Sequence, residues 1–420
     1  MLDLLKKFFK GLELDTRMLG MIGALLFLWI SFNFVTDGRF LTPRNLFNLS
    51  VQTASVAVMA TGMVFVIVTR HIDLSVGSLL GLIGMLMGAL QVHFLPQYLG
   101  FEHPAIWVIT VLFGIGVGVV IGAAQGWVIG YLAVPSFIVT LGGYLMYRGA
   151  AWWVTTGQTV APLDATYRLL GGGAEGTLGA NISWLAGALA SLIAVVMMVQ
   201  SRRQKKSHGF SLKPIWAEYT LGAIAIGLIM GFVTIMNSYP LSKGAVKRIF
   251  AARGEEIPQF AVVHGVAIPV LIVVIVAIVM TVIAKRTRFG RYIFATGGNP
   301  EAAELSGINT KLLTVKVFAL MGGLTAIAAV IASARLGSVG NDLGTLDELR
   351  VIAAAVIGGT ALAGGFGTIY GALLGALIMQ SLQSGVAMVG VDAPLQSIVV
   401  GFVLVFAVYL DIAYRRRTGH

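Results

Sequence analysis

IPVLIVVIVAIVMTVIAKRTRFGRYIFATGGNPEAAELSGI, residues 268–308, is the stretch that decides the fold. Its first part ends an uncharged apolar run of the length a helix needs to cross a hydrocarbon layer of roughly 30 Å. Its second part is polar, carries Lys285, Arg286, Arg288 and Arg291, and is followed by another apolar run. Inside the polar part the residues punctuate a short helix. Asn299 suits an N-cap, because its side-chain oxygen can take a free backbone N–H of the first turn. Pro300 suits the first helical position, and Glu301 puts negative charge at the positive end of the helix dipole. Gly307 accepts the left-handed conformation that ends helices. A capped helix in a basic loop between spans has two readings: an ordinary solvated loop, or a docking element for a soluble partner.

The rest of the chain is of one kind with this stretch. Of 420 residues, 57% are hydrophobic and only 11% charged, against roughly 25% charged in soluble domains. Repeated apolar runs of this length predict an all-α polytopic membrane protein, not a β-barrel, which would show short alternating strands. The 53 glycines favour close helix–helix approach. With no cysteine, disulfides and thiolate metal sites are excluded. The formal charge of +11 is not a nucleic-acid signal here, because basic residues in membrane proteins mark the cytoplasmic loops.

Ten spans are expected, at about 18–35, 48–69, 75–95, 105–132, 135–156, 182–200, 215–236, 262–284, 312–334 and 395–412. Between the last two, Val351–Ile357 and Ile369–Gln380 read as two short helices. Gly358-Gly359 and Gly364-Gly365-Phe366-Gly367 interrupt them, giving 10–12 membrane helices in all. Irregular backbone at that depth survives only where protein or water satisfies it. Residues 1–17 are amphipathic and suit a helix on the cytoplasmic surface. Lys6, Lys7, Lys10, Arg17, Arg70, the Arg202–Lys213 group, the Lys285–Lys316 group and Arg415–Arg417 hold most of the 29 basic residues. All fall on one side if both termini are cytoplasmic. Residues 237–260, with Lys243, Lys247, Arg248 and Arg253, run against this pattern. The whole of 1–420 reads as one transmembrane domain.

Catalytic signatures are missing. No G-x-x-x-x-G-K-[ST] is present to cradle ATP phosphates, and no H-E-x-x-H or G-x-S-x-G. The six histidines show no metal-ligand spacing. Acidic groups inside spans, which ion-coupled carriers use as relays, are nearly absent. The chain reads as a passageway driven from elsewhere. In Thr69–Ser78 (TRHIDLSVGS), Asp73 or Ser75 caps the next helix and Gly77 permits close packing. Arg148 is expected to snorkel to the membrane interface. Asp347 and Glu348 favour the start of a half-helix. The glycine break beyond is either packing or pore lining. On polarity and glycine breaks, the pathway candidates are Gln52, Thr53, Ser55, Gln125, Thr140, Tyr144, Gly358 and Gly359.

Four ordered motifs, IDLSVGS (72–78), VPSFIVTLGG (134–143), TRFGRYIFATGGNPEAAELSGIN (287–309) and VIGGTALAGGFG (356–367), carry a resemblance over nearly the whole chain. It resembles the permease subunits of bacterial ABC sugar importers of the ribose/xylose/galactoside type. Residues 182–236 look like a two-span insertion, as in the xylose-type branch, which TDGRFLTPRN (36–45) and GMVFVIV (62–68) also resemble. It departs from the pattern at His71, at Gln125-Gly126 where Asn-Gly is common, and at Arg350 where an Asp is usual.

The resemblance implies a fold similar to vitamin B12-type importers, in the bacterial inner membrane, with two copies forming the pathway. It implies that a periplasmic binding protein delivers the sugar. ATP and Mg would be bound by a cytoplasmic ATPase, often with two nucleotide-binding domains in one chain, and this chain would bind no cofactor and no nucleic acid. The loop 285–311 would then dock that ATPase, through Arg291, Asn299, Pro300, Glu301, Glu304 and Gly307. The cargo would be D-xylose or another pentose; ribose, arabinose, a galactoside, a nucleoside or an autoinducer-like sugar is the alternative. An ion-coupled carrier is the alternative from another class.

Overall fold

A computed structural model describes residues 16–258, 261–392, 394–403, 405 and 409. Residues 1–15 of the surface helix expected at 1–17, and seven of the 18 positions of the last expected span at 395–412, therefore lie outside the described residues. Among the described residues, nine helices are long and apolar enough to cross a membrane. They are α1 (Thr16–Val35), α2 (Pro43–Val68), α3 (Val76–Leu99, with one π turn at Leu90–Phe94), α4 (Ile106–Tyr131), α7 (Gly179–Ser207), α8 (Ile215–Asn237), α10 (Ile268–Arg286), α13 (Thr310–Leu336) and α15 (Ile369–Met388). To these α5 (Ser136–Thr155) adds a further long helix with Arg148 in its last third. The short elements are α6 (Ala165–Leu169), α9 (Lys243–Arg253), α11 (Arg288–Gly298), α12 (Pro300–Leu305), α14 (Asp347–Ile357) and α16 (Pro394–Val403).

The core is three helices. Burial takes 89% of the apolar window of α2, 78% of α13 and 67% of α3, but only 6–17% of α1, α7, α8 and α10, which present their apolar faces outward. A glycine seam holds α4 to α13. Gly118, Gly122, Gly126 and Gly130 recur every fourth residue and so share one face of α4. A Cβ on Gly118 would lie 2.3 Å from the Gly322 carbonyl oxygen, and one on Gly122 would lie 2.2 Å from that of Phe318. Only hydrogen fits there, so the backbones touch.

The broken region differs in part from the expectation of two half-length or short helices. α14 has 11 residues, roughly 16 Å at about 1.5 Å per residue, or half a hydrocarbon layer. α15, with 20 residues, is a full span. The other half of α14's crossing is the non-helical segment 337–346. It lies along α3: Val339 abuts Gly84 and Gly88, and the Leu343 carbonyl abuts Gly81. Several of its backbone groups are satisfied from a distance. Val339 and Val160 exchange N–H···O bonds of 2.9 Å. The Arg148 guanidinium donates to the carbonyls of Asn341 (2.7 Å) and Leu343 (3.1 Å). Arg148 therefore does not snorkel: carbonyls buried in the protein outcompete the interface. The glycine-rich stretch 358–368 is the turn between α14 and α15. In it Gly358 packs on Gly371, where a Cβ would lie 2.4 Å from backbone.

α2 and α15 run antiparallel. Gln52 meets Gln380 near one end, and Val64 and Val68 meet Gly367 near the other. The hairpin of α7 and α8 is tied by an Arg202–Glu218 ion pair and packs Val233 and Met236 against Leu46, Phe47, Leu49 and Val51 of α2.

Candidate functional site: an amide-lined pocket and a protruding loop

Asn45, Asn48 and Gln52 are spaced three and four apart on α2, so they share a face. Gln380, Gln383, Ser384 and Ala387 repeat that spacing on α15. Between the two faces lies an open cavity of about 370 Å³, which Met388 and Gln396 also line. That volume falls within the roughly 300–1,000 Å³ of small-molecule sites. Its lining is amide-rich and carries no charge. The Gln380 amide donates to Gln52 Oε1 at 3.1 Å, and the Ser384 hydroxyl points to Asn45 Oδ1 at 3.4 Å. Each amide offers two donors and an acceptor, as a polyhydroxylated ligand requires.

The other residues chosen from sequence lie elsewhere. Thr53 is buried and its hydroxyl returns to the Leu49 carbonyl at 2.6 Å. Ser55 and Tyr144 are half-buried. Gln125 and Thr140 brace the connection between α2 and α3. The buried Asp73 carboxylate accepts from Ser75 N (2.8 Å) and Ser75 Oγ (2.6 Å), and that hydroxyl accepts from Gln125 Nε2 at 3.0 Å. Thr140 Oγ1 donates to the Ile72 carbonyl at 3.2 Å. Asp73 thus fastens the turn before α3, and Ser75 makes no side-chain cap. Gly77 allows Glu348 and Gly344 to approach α3 so closely that a Cβ would lie 2.1 Å from Glu348 Oε2. Gly358 and Gly359 sit at the far end of α15 from the pocket. Asp347, Glu348 and Asp73 are all buried in the interior, although they lie outside regular long helices. Arg350 pairs with Asp347 at 2.9 Å, so its charge is committed.

At the end of α2 opposite the pocket, the chain leaves α10 through a sharp turn. Thr287 Oγ1 accepts from Gly290 N (3.1 Å) and starts α11. α11 is amphipathic: Ile293 is fully buried, Phe289 meets Phe65 edge-on, and Arg288 and Arg291 are exposed. The sequence reading missed this helix, although Phe289, Ile293 and Thr296 fall at helical spacing. α12 follows at once. Asn299 Oδ1 accepts from Ala302 N at 3.0 Å, Pro300 opens the helix, and Gly307 at φ +84° ends it. Ile308 N bonds back to the Ala303 carbonyl, which closes the cap. Only Ala303 is buried; Glu301, Ala302, Glu304 and Ser306 are exposed, and Leu305 is 91% exposed. α12 is thus a well-capped helix that buries one alanine and projects a leucine away from the rest of the chain.

A polytopic bundle with a broken crossing, a polar pocket at one end of its core helices and a projecting capped helix at the other is a membrane permease. The chain belongs to the branched-chain amino acid transport system / permease component family, whose description matches residues 45–408. It is 37% identical to the xylose transport system permease protein XylH of Escherichia coli over 411 residues, covering 98% of this chain and 95% of that one. It is 35% identical to the Haemophilus influenzae protein of that name over 413 residues, covering 97% of this chain and 100% of that one. The ribose import permease protein RbsC of Escherichia coli is 32% identical over 373 residues, covering 89% and 87%. No solved structure matches the chain significantly.

Proposed function

We propose that this chain is the membrane subunit of an ATP-driven importer that carries D-xylose, or a closely related pentose, across the bacterial inner membrane. The similarity to xylose permeases over nearly the whole of both chains carries the cargo. The amide-lined cavity supports it physically: a sugar handed over by a binding protein needs matching donors and acceptors but not tight binding. Gln52 and Gln380 are the first contacts to test. Ribose is the second reading, favoured by the ribose permease relative.

ATP and Mg would be bound by a separate ATPase with two nucleotide-binding domains, docked on α12 and the basic flank of α11 through Arg291, Glu301, Glu304 and Leu305. Asn299, Pro300 and Gly307 would set the shape of that helix. A second copy of the chain and a periplasmic binding protein complete the assembly, with both termini of the permease cytoplasmic. The test is uptake of labelled D-xylose and D-ribose into proteoliposomes holding the permease, its ATPase and the binding protein. Uptake that needs ATP and favours xylose is expected; uptake by the permease alone, driven by an ion gradient, would overturn the reading. A Glu301→Lys, Leu305→Glu double variant should lose the ATPase on co-purification while remaining in the membrane.

A further inference from the structure

Three parts of the chain meet at Arg70. α2 ends at Val68, and Arg70 follows its cap in the left-handed region, at φ +65°, a conformation uncommon outside glycine. From there its guanidinium reaches the end of α11. Nε donates to the Gly297 carbonyl at 2.9 Å, and an Nη donates to the Gly298 carbonyl at 2.8 Å. These carbonyls lie in the last turn of α11, where helices leave oxygens without internal partners and the dipole is negative. One fork thus satisfies two acceptors with a matching charge. The third part is the turn between α14 and α15. Gly365 N donates to the Val68 carbonyl at 3.0 Å. A Cβ on Gly297 would lie 2.0 Å from that same carbonyl oxygen, and one on Gly364 would lie 2.5 Å from Arg70 Cγ. The junction has no slack.

What it joins matters more than its tightness. Gly298 is two residues before Pro300, the first residue of α12. α2 runs from Val68, two residues before Arg70, to Asn45, and α15 runs from the turn to Gln380 and Gln383. The two helices that line the pocket therefore converge, at their other ends, on the base of the projecting helix. Packed cores respond to displacement at one end by switching arrangement rather than by absorbing it.

We propose that Arg70 is the positioning residue that couples movement of α12 to α2 and α15, so that a stroke delivered at the loop reaches the pocket. This rests on the reading of α12 as the ATPase dock. The experiment compares wild type, Arg70→Ala and Arg70→Lys in proteoliposomes with ATPase and binding protein, measuring xylose uptake and ATP hydrolysis together. Arg70→Ala should still co-purify with the ATPase and hydrolyse ATP within about twofold of wild type. Its uptake per ATP should fall at least tenfold. Lys, a single charge without a fork, should restore less than half of the ratio. A wild-type ratio in Arg70→Ala would overturn the proposal, and so would loss of the ATPase from the complex, which would make Arg70 a docking residue. A failure of the dock itself would instead appear as ATPase retained by the Glu301→Lys, Leu305→Glu variant.

A second measurement serves if Arg70→Ala does not fold. The chain has no cysteine, so spin labels can be placed at Leu41 and Val389, exposed at the rim of the pocket face. Trapping the ATPase with a nucleotide analogue should change their separation in wild type. The change should be at least halved in Arg70→Lys, and an undiminished change would overturn the proposal.

Discussion

The side-chain amides of Gln52 and Gln380 meet at 3.1 Å, although 328 positions separate them in the chain. That bond crosses the floor of the pocket and ties α2 to α15. It leaves the Gln52 nitrogen and the Gln380 oxygen with hydrogen-bonding capacity to spare. A sugar hydroxyl, both donor and acceptor, can bridge those two atoms.

Replacing Gln52 or Gln380 with Ala should therefore weaken handling of the sugar without disturbing the loop face. The loss of about one neutral hydrogen bond, roughly 1 kcal/mol, corresponds to a rise of about fivefold in the half-saturating concentration for uptake. The double variant should lose less than the sum, because each residue is the other's partner. Uptake curves with saturating binding protein measure this. Unchanged curves for both single variants would remove the pocket from the pathway.

The glycine seam gives a prediction about folding rather than transport. Gly122→Leu puts a branched side chain where a Cβ alone would lie 2.2 Å from the Phe318 carbonyl oxygen. α4 and α13 must separate, at a cost of about 3 kcal/mol. Gly116→Ala, two residues short of the seam with nothing within 4 Å of its would-be Cβ, should be neutral or slightly stabilising. Melting in detergent should fall sharply for the first and hold for the second.

What local sequence could reveal follows from the range of the forces. The long spans and the punctuation of α12 were legible because apolar length and cap chemistry act within a few residues: the Asn299 cap spans three positions. The segment 337–346 was not legible, since its carbonyls are satisfied by Arg148, nearly 200 positions away. Nothing in the segment itself announces that donor. The pocket was half legible. Gln52 stands out in an apolar helix, but Asn45, Asn48, Gln380 and Gln383 become a site only when α2 and α15 are set antiparallel. Arg70 read as one basic loop residue among many, because its two acceptors are backbone atoms more than 220 positions away.

Arg148 offers a direct test of that long-range support. Arg148→Met keeps much of the side chain's length but abandons the carbonyls of Asn341 and Leu343. Each buried acceptor left unmet costs roughly 1–3 kcal/mol. The segment 337–346 should then open, with a lower melting temperature and faster proteolysis within it. Arg148→Lys should fall between, since one Arg148 nitrogen donates to both carbonyls and an ammonium on a shorter, differently shaped stem can replace that nitrogen only in part. Equal protection of 337–346 in wild type and Arg148→Met would show that the packing on Gly81, Gly84 and Gly88 suffices alone.

His264 should make the pocket-face end of the bundle sensitive to acid. It lies before α10, stacked on Tyr239 with ring centres 4.2 Å apart and planes 4° from parallel, and beside Phe47 at 4.7 Å. Burial lowers its pKa below the usual 6.5, against a smaller opposing effect of its hydrogen bond to the Tyr239 carbonyl. The sign follows from proton counting. Between the folded and unfolded pKa values the unfolded chain binds more protons, so stability rises with pH in that window and falls on acidification below about 6.5. His264→Phe keeps an aromatic ring on Tyr239 and Phe47 and removes the proton. Its melting temperature should lose less than wild type's between pH 7.5 and pH 5.5, and identical losses would assign the acid sensitivity to other groups.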